Sequence, residues 1–279
     1  MSPSSHQQPS TPEWTPRIPR PASFTKPLVL EDKLLMIPGP TNTSPRVLKA
    51  MSTPVIGLTD PQFFRLQAEL QEGIRYLFQT TNRYTFALTG AGTCGMEAAL
   101  VNLLLPGQKL LTLASGHWGK RVGLMGERLS LDVVRLEPAT LSEVYSYEVL
   151  EEALRRHRPA LMYVCHGDSS LGTLQPLAGL GDLCHRYDCS LLVDAVVSLC
   201  TAPLAMDELG IDVLFSAAQK ALSGPSGLAM ISFSERAVAI YKTRSAVQPV
   251  SCFYMDIGLV AKAWSKMTCW INYLLSTDG

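Results

Sequence analysis

From about residue 84 the chain alternates short, nearly unbroken apolar runs with longer stretches whose apolar residues recur at helical spacing. The apolar runs are YTFALT (84–89), KLLTLAS (109–115), ALMYVCH (160–166), SLLVDAV (190–196), DVLFSA (212–217) and LAMISF (228–233). Between the first five lie GMEAALVNLLL, KRVGLMGERLS, EVLEEALRRH and LAGLGDLCHRY, which read as helices. A strand covered on both faces has no polar side to show. Continuous apolar strands separated by amphipathic helices therefore predict an α/β domain, a mostly parallel sheet with helices on both faces.

The first 30 residues break this pattern. MSPSSHQQPSTPEWTPRIPRPASFTKPLVL is rich in Ser and Pro and lacks the apolar core of a secretory signal. Its prolines oppose the amphipathic helix of a transit peptide, so residues 1–30 are expected to be a disordered or extended arm.

Composition narrows the field. The chain has 279 residues, 47% hydrophobic and 17% charged, which is ordinary for a folded globular protein. Lys+Arg and Asp+Glu balance at 24 each, so no charge excess points to nucleic acid or to an anionic membrane surface. No apolar run approaches the length of a membrane-spanning helix. The seven cysteines are scattered, mostly within apolar runs, and read as thiols rather than a disulfide framework. Cys184, His185 and Cys189 lie close together, but no second cluster completes a four-ligand set, so no metal site is expected.

In parallel sheets ligands gather at the carboxyl ends of the strands, which makes the strand tips informative. YTFALT is followed by GAGTCG, KLLTLAS by GHWGKR and ALMYVCH by GDSSLG; SLLVDAV carries Asp194, and Lys220 follows DVLFSA. Gly90, Gly92 and Gly95 satisfy G-x-G-x-x-G between a strand and a helix. A dinucleotide site also needs an acidic residue about 20 positions on, and none occurs before Glu127. A nicotinamide-dependent dehydrogenase keeps only half its signature, whereas a helix N-terminus ready for a phosphate survives.

Trp118 is a core residue or, on a loop between Gly116 and Gly119, a platform for a planar ring. Asp194 interrupts the run LLVDAVV and needs a partner: a backbone N–H, Ser198, or a protonated ring nitrogen. Lys220 either snorkels to water from a strand end or turns its amine into a covalent bond. Phosphate, planar ring, ring nitrogen and amine together describe pyridoxal 5'-phosphate, whose aldehyde condenses with a lysine while an Asp partners its pyridinium nitrogen.

With these residues in place, the chain resembles the class V, fold-type I aminotransferases, most closely the animal alanine–glyoxylate/serine–pyruvate group. The resemblance rests on LLMIPGPTNTSPRVLKAM, EGIRYLFQT, TGAGTCGMEAALVNLLLPG, GHWGKR, HGDSSLGTLQPL, LCHRYDCSLLVDAVVSL, MDELGIDVLFSAAQKAL and ISFSERA. It implies a large cofactor-binding domain over residues 31–265. It also implies transamination of alanine or serine with glyoxylate or pyruvate, by a homodimer acting on small amino acids and 2-oxo acids in peroxisomes or mitochondria.

The resemblance further implies residue roles. Lys220 would carry the covalent link and then move the proton between the substrate Cα and the cofactor's C4′. Asp194 would hold the ring nitrogen protonated, Trp118 would stack on the ring, and Ser169 would bond near its 3′-oxygen. Gly92, Thr93 and Gln219 would hold the phosphate, with Ala91 standing where relatives can have serine. Thr41 and Asn42 would border the substrate carboxylate. After Trp264 the sequence reads SKMTCWINYLLSTDG and stops. Residues 266–279 are thus expected to be a divergent tail, with the family's small C-terminal domain, its carboxylate-clamping arginine and its peroxisomal tripeptide missing. The alternative function is a catalytically impaired form of the same fold that binds cofactor or pairs with a partner.

Overall fold

The computed structural model describes residues 17–138, 140 and 143–264. Residues 1–16 of the expected arm and the expected tail at 266–279 lie outside the described residues. The chain divides into two compact units between Leu34 and Leu35. In the first, residues 17–34 are exposed throughout and carry one short 3-10 turn, Ala22–Thr25, where Thr25 Oγ1 donates to Ala22 O at 2.7 Å.

The second unit begins with two helices, α1 (Pro45–Met51) and α2 (Pro61–Phe78). There follow β1 (Tyr84–Thr89), α3 (Gly92–Leu103), β2 (Lys109–Leu113), α4 (His117–Arg128) and β3 (Asp132–Leu136). Next come α5 (Tyr147–His157), β4 (Leu161–Cys165), the short pair β5 (Gly167–Asp168) and β6 (Thr173–Leu174), α6 (Leu180–Arg186) and β7 (Ser190–Asp194). The last elements are β8 (Val213–Ala217), β9 (Leu228–Phe233), α7 (Glu235–Val247) and α8 (Ile257–Trp264). Ser44, Asp60, Ser146 and Ser234 start α1, α2, α5 and α7 by accepting first-turn N–H groups with their side chains.

Seven strands form one sheet in the order β1-β9-β8-β7-β4-β2-β3. The β2–β3, β2–β4, β4–β7 and β7–β8 pairs are parallel, and only β9 runs against its neighbours β1 and β8. Side chains alternate across the sheet. Leu111, Met162, Val164, Leu191, Val193 and Leu214 pack with α2, α5 and α6 residues such as Ile74, Leu154 and Leu183. Leu110, Tyr163, Leu192, Phe215 and Ile231 pack on the other face with Leu100, Val122, Ala237 and Ile257 of α3, α4, α7 and α8. The mostly parallel sheet covered on both faces is thus present.

Besides the short β5–β6 pair, one strand of the main sheet is additional to those the apolar runs predict. DVVRL forms β3 at the edge, where its side chains are only half-buried and two of five positions tolerate charge. An edge strand shows no continuous apolar run, which is why the pattern misses it.

The Cys184–His185–Cys189 group is committed to the fold at the end of the sheet opposite the strand tips. His185 Nε2 pairs with Asp212 Oδ2 at 2.9 Å, an oxygen that also takes the Leu191 N–H at 2.9 Å and Arg236 at 3.1 Å. Cys184 and Cys189 are buried in the α5/α6 core.

Candidate active site

Alternation along β7 decides where its last residue points. Leu191 and Val193 face α5 and α6, so Leu192 and Asp194 face α3 and α4. Asp194 is 3% exposed there. Tyr163 of the adjacent strand donates its hydroxyl to Asp194 Oδ2 at 2.9 Å, and the Val196 N–H donates to Oδ1 at 2.9 Å. Burial pushes the carboxyl up from 3.8 to about 6, while these two donors and the charge of Lys220 pull it down and Asp168 adds to the rise. Of the partners expected for Asp194, the backbone N–H is present. Ser198 is not one: its Oγ is buried with no hydrogen-bond partner among the described residues.

Lys220 follows β8 and is held by a segment far away in sequence. Its Nζ donates to Pro38 O at 2.7 Å and to Gly39 O at 3.4 Å. Thr41 clamps the same turn, its N–H reaching Gln219 O at 3.0 Å and its hydroxyl Lys220 O at 2.8 Å. Gly39 has φ +107°, and a Cβ there would stand 2.4 Å from Lys220 Cδ. Only glycine meets both demands. Burial lowers the pKa of the Lys220 ammonium, and the charge of Asp194 partly restores it.

Trp118 corrects the loop expectation. Gly116 ends the strand tip as an N-cap, so Trp118 is the second residue of α4 and its position is set by the helix. Its Nε1 donates to Ser169 Oγ at 3.1 Å, while Ser170 Oγ accepts the His117 N–H at 3.0 Å. The guanidinium of Arg121, one turn on, lies 5.0 Å from the Trp118 ring centroid.

These groups surround a cavity of about 210 Å³ whose wall includes Gly92, Thr93, Trp118, Asp194, Gln219 and Lys220, together with Arg121 and Val196. The structure thus brings together six of the nine residues singled out in the sequence. Ser169 touches the site through Trp118, and Thr41 through the Lys220 turn. Asn42 turns away, its Oδ1 accepting the Leu35 N–H at 2.7 Å. Tyr163, Val196 and Arg121 went unnoticed. Tyr163 had a signal, since a buried tyrosine needs a partner for its hydroxyl. Arg121 had one too, lying three residues from Trp118 on a helix.

The donor set fits pyridoxal phosphate. The first-turn N–H groups of α3, at Gly92 and Thr93, open on the cavity and suit a phosphate. Gln219 lines the same cavity, and its amide Nε2 is the atom that could donate to a phosphate. A buried carboxylate with two neutral donors suits a protonated ring nitrogen. At Gly92 a Cβ would lie 3.0 Å from Val196 Cγ2, so the glycine lets helix and ring wall meet.

Residues 35–248 match the family model for aminotransferase class-V. Over 88% of its length the chain is 44% identical to the alanine–glyoxylate aminotransferase of Rattus norvegicus, and it spans 59% of that relative. The crystal structure of an alanine–glyoxylate aminotransferase from Nostoc sp. superposes with a TM-score of 0.83 at 38% identity, over 86% of this chain and 63% of that one. A ureidoglycine–glyoxylate aminotransferase from Bacillus subtilis superposes with a TM-score of 0.83 at 32% identity, over 86% and 62%. The chain therefore spans less than two thirds of the length of these relatives.

Proposed function

We propose that this chain, which belongs to the class-V aminotransferases, binds pyridoxal phosphate and transfers an amino group from alanine or serine to glyoxylate or pyruvate. The observation that carries this reading is one cavity walled by an amine, a buried carboxylate, an indole and the N-terminus of α3. Glyoxylate is in the names of all three relatives described above, which favours it as acceptor.

When bound, the cofactor supplies an electron sink for bond cleavage at the substrate Cα. Lys220, made less basic by burial, would be the amine that holds the cofactor's aldehyde carbon and would serve as the base for the substrate Cα proton. Asp194, its orientation fixed by the Tyr163 hydroxyl and the Val196 N–H, would hold the ring nitrogen protonated. Trp118, steadied by Ser169, would offer the ring an aromatic wall and Val196 an apolar one. Gly92, Thr93 and Gln219 would hold the phosphate, and Pro38 to Thr41 set where Lys220 can swing.

A second copy of this chain is the assembly partner we assign. Between residues 35 and 70, Met36 (84% exposed), Val55 (99%) and Leu58 (76%) belong to a run of exposed apolar side chains that supports an interface. Sedimentation at micromolar concentration tests it, and a monomer at all concentrations would remove it.

The deciding experiment is a visible absorption spectrum of the chain with pyridoxal phosphate, before and after L-alanine. A cofactor band that bleaches with alanine supports transamination. A band that ignores alanine supports the second reading, a cofactor-binding form without turnover. No band at all refutes both.

A further inference from the structure

We infer that Asp168 is a positioning residue for Trp118, acting through Ser170 and the first turn of α4. The inference rests on the cofactor reading in one respect, that Trp118 is the platform for a planar ring. The relay itself belongs to the chain without cofactor.

α4 starts without a side-chain cap of its own, because its N-cap is Gly116. The first-turn N–H groups of a helix have no partner within it. The β5–β6 hairpin supplies what is missing. Ser170 Oγ accepts the N–H of His117, the first residue of the helix, at 3.0 Å. Asp168 Oδ1 in turn accepts the Ser170 hydroxyl at 2.5 Å and the Ser170 N–H at 2.8 Å. A hydroxyl has a single proton to give, so once Asp168 takes it the lone pairs of Ser170 are left for His117. Beside it, Ser169 Oγ accepts the Trp118 Nε1–H at 3.1 Å. Two consecutive hydroxyls thus hold two consecutive residues of α4, one by its backbone and one by its indole.

Burial and charge single out Asp168 as the origin of this relay. It is 4% exposed, and among the described residues no Lys, Arg or His lies within ion-pair distance of it. A buried carboxylate without a cation needs donors and a favourable dipole. A Cβ on Gly116 would stand 1.9 Å from Asp168 Oδ2, so the carboxylate rests against the start of α4, the positive end of the helix dipole. The Asp168 carbonyl also accepts the Gly172 N–H at 2.8 Å, which closes the hairpin that carries both serines. Asp168 therefore grips the hairpin and the helix at once. Without its charge the two separate, and the indole loses its fixed tilt.

The test compares Asp168→Asn, which sets an amide N–H group against the helix start, with Ser170→Ala and with Ser170→Thr, which keeps the hydroxyl. In the full chain without cofactor, the indole N–H resonance of Trp118 is assigned through Trp118→Phe. It is expected to move in Asp168→Asn and Ser170→Ala and to return to the parent position in Ser170→Thr. Pyridoxal phosphate is then titrated, followed by its visible band, in the parent and in Trp118→Ala. Asp168→Asn is expected to weaken binding about tenfold in the parent but less than about twofold in Trp118→Ala, where no indole is left to act through. An equal loss in both backgrounds would make Asp168 a general support of the fold and overturns the inference. So does a resonance that stays in place in both variants. If Asp168→Asn does not fold, the Ser170 variants carry both measurements. A resonance that moves as expected in a chain that binds no pyridoxal phosphate keeps the relay and removes the cofactor reading instead.

Discussion

The Tyr163 hydroxyl donates to Asp194 Oδ2 at 2.9 Å between two neighbouring parallel strands, inside a core where both residues are buried. That contact decides which way the carboxylate points and how strongly it resists ionising. Replacing Tyr163 by Phe leaves the aromatic packing but removes one of the two donors, costing about 1–2 kcal/mol. The expected outcome is weaker cofactor binding by roughly tenfold, measured by titrating the visible band. An unchanged affinity would mean that the Val196 N–H alone orients Asp194.

Asp194 also makes the chain without cofactor pH-sensitive. Its folded-state pKa of about 6 is above the ordinary 3.8, so the folded protein binds this proton more tightly than the unfolded chain does. The resulting stability is fully present below about pH 4 and is lost as pH rises towards 6 and above, a change of about 3 kcal/mol. In urea unfolding from pH 4 to 7, Asp194→Asn is expected to gain on the parent by that order as pH rises. A constant difference across the range would show that Asp194 is not held in a desolvated setting. With cofactor present Asp194→Asn should still bind it but abstract the Cα proton far more slowly, and turnover at the parent rate would refute the ring-nitrogen role.

Lys220→Ala is expected to abolish the covalent cofactor band while leaving far-UV circular dichroism unchanged. Among the described residues the Lys220 ammonium donates to two backbone carbonyls, Pro38 O and Gly39 O, and to no side chain, so the fold does not hang on it. A visible spectrum identical to the parent's would exclude Lys220 as the condensing amine.

Gly39→Ala tests the segment that covers the lysine. A Cβ at φ +107° and 2.4 Å from Lys220 Cδ forces the lysine, the loop or both to move. Stability should fall by about 1–3 kcal/mol and the band should weaken. A parent-like melting temperature and band would show that this loop adapts freely.

The apolar runs 84–89 and 228–233 coincide with β1 and β9, and the other four overlap β2, β4, β7 and β8 to within two residues at either end. Such runs are legible because a strand buried on both faces needs apolar residues at every position. Edge strand β3 escaped because half its surface meets water. Trp118 was placed on a loop because three glycines within eight residues hide a helix start from a pattern of propensities; Gly119 is there so that α4 can approach β2, where a Cβ would stand 1.8 Å from Leu113 O.

What the sequence by itself determined was the order of the six apolar strands and the residue types that stand at their tips, Lys220, Asp194, Trp118 and the Gly92–Thr93 turn among them. These follow from short-range rules: hydrophobic periodicity, glycine turns and polar residues that interrupt apolar runs. The tertiary structure decided the rest: Tyr163 on Asp194, the Pro38–Thr41 segment over Lys220, Arg121 in the cavity wall, and the direction of β9. Each depends on side chains or strands brought together from distant parts of the chain, 182 residues apart in the case of Pro38 and Lys220. No local pattern encodes such a meeting, because it is fixed only when the two faces of the sheet are packed.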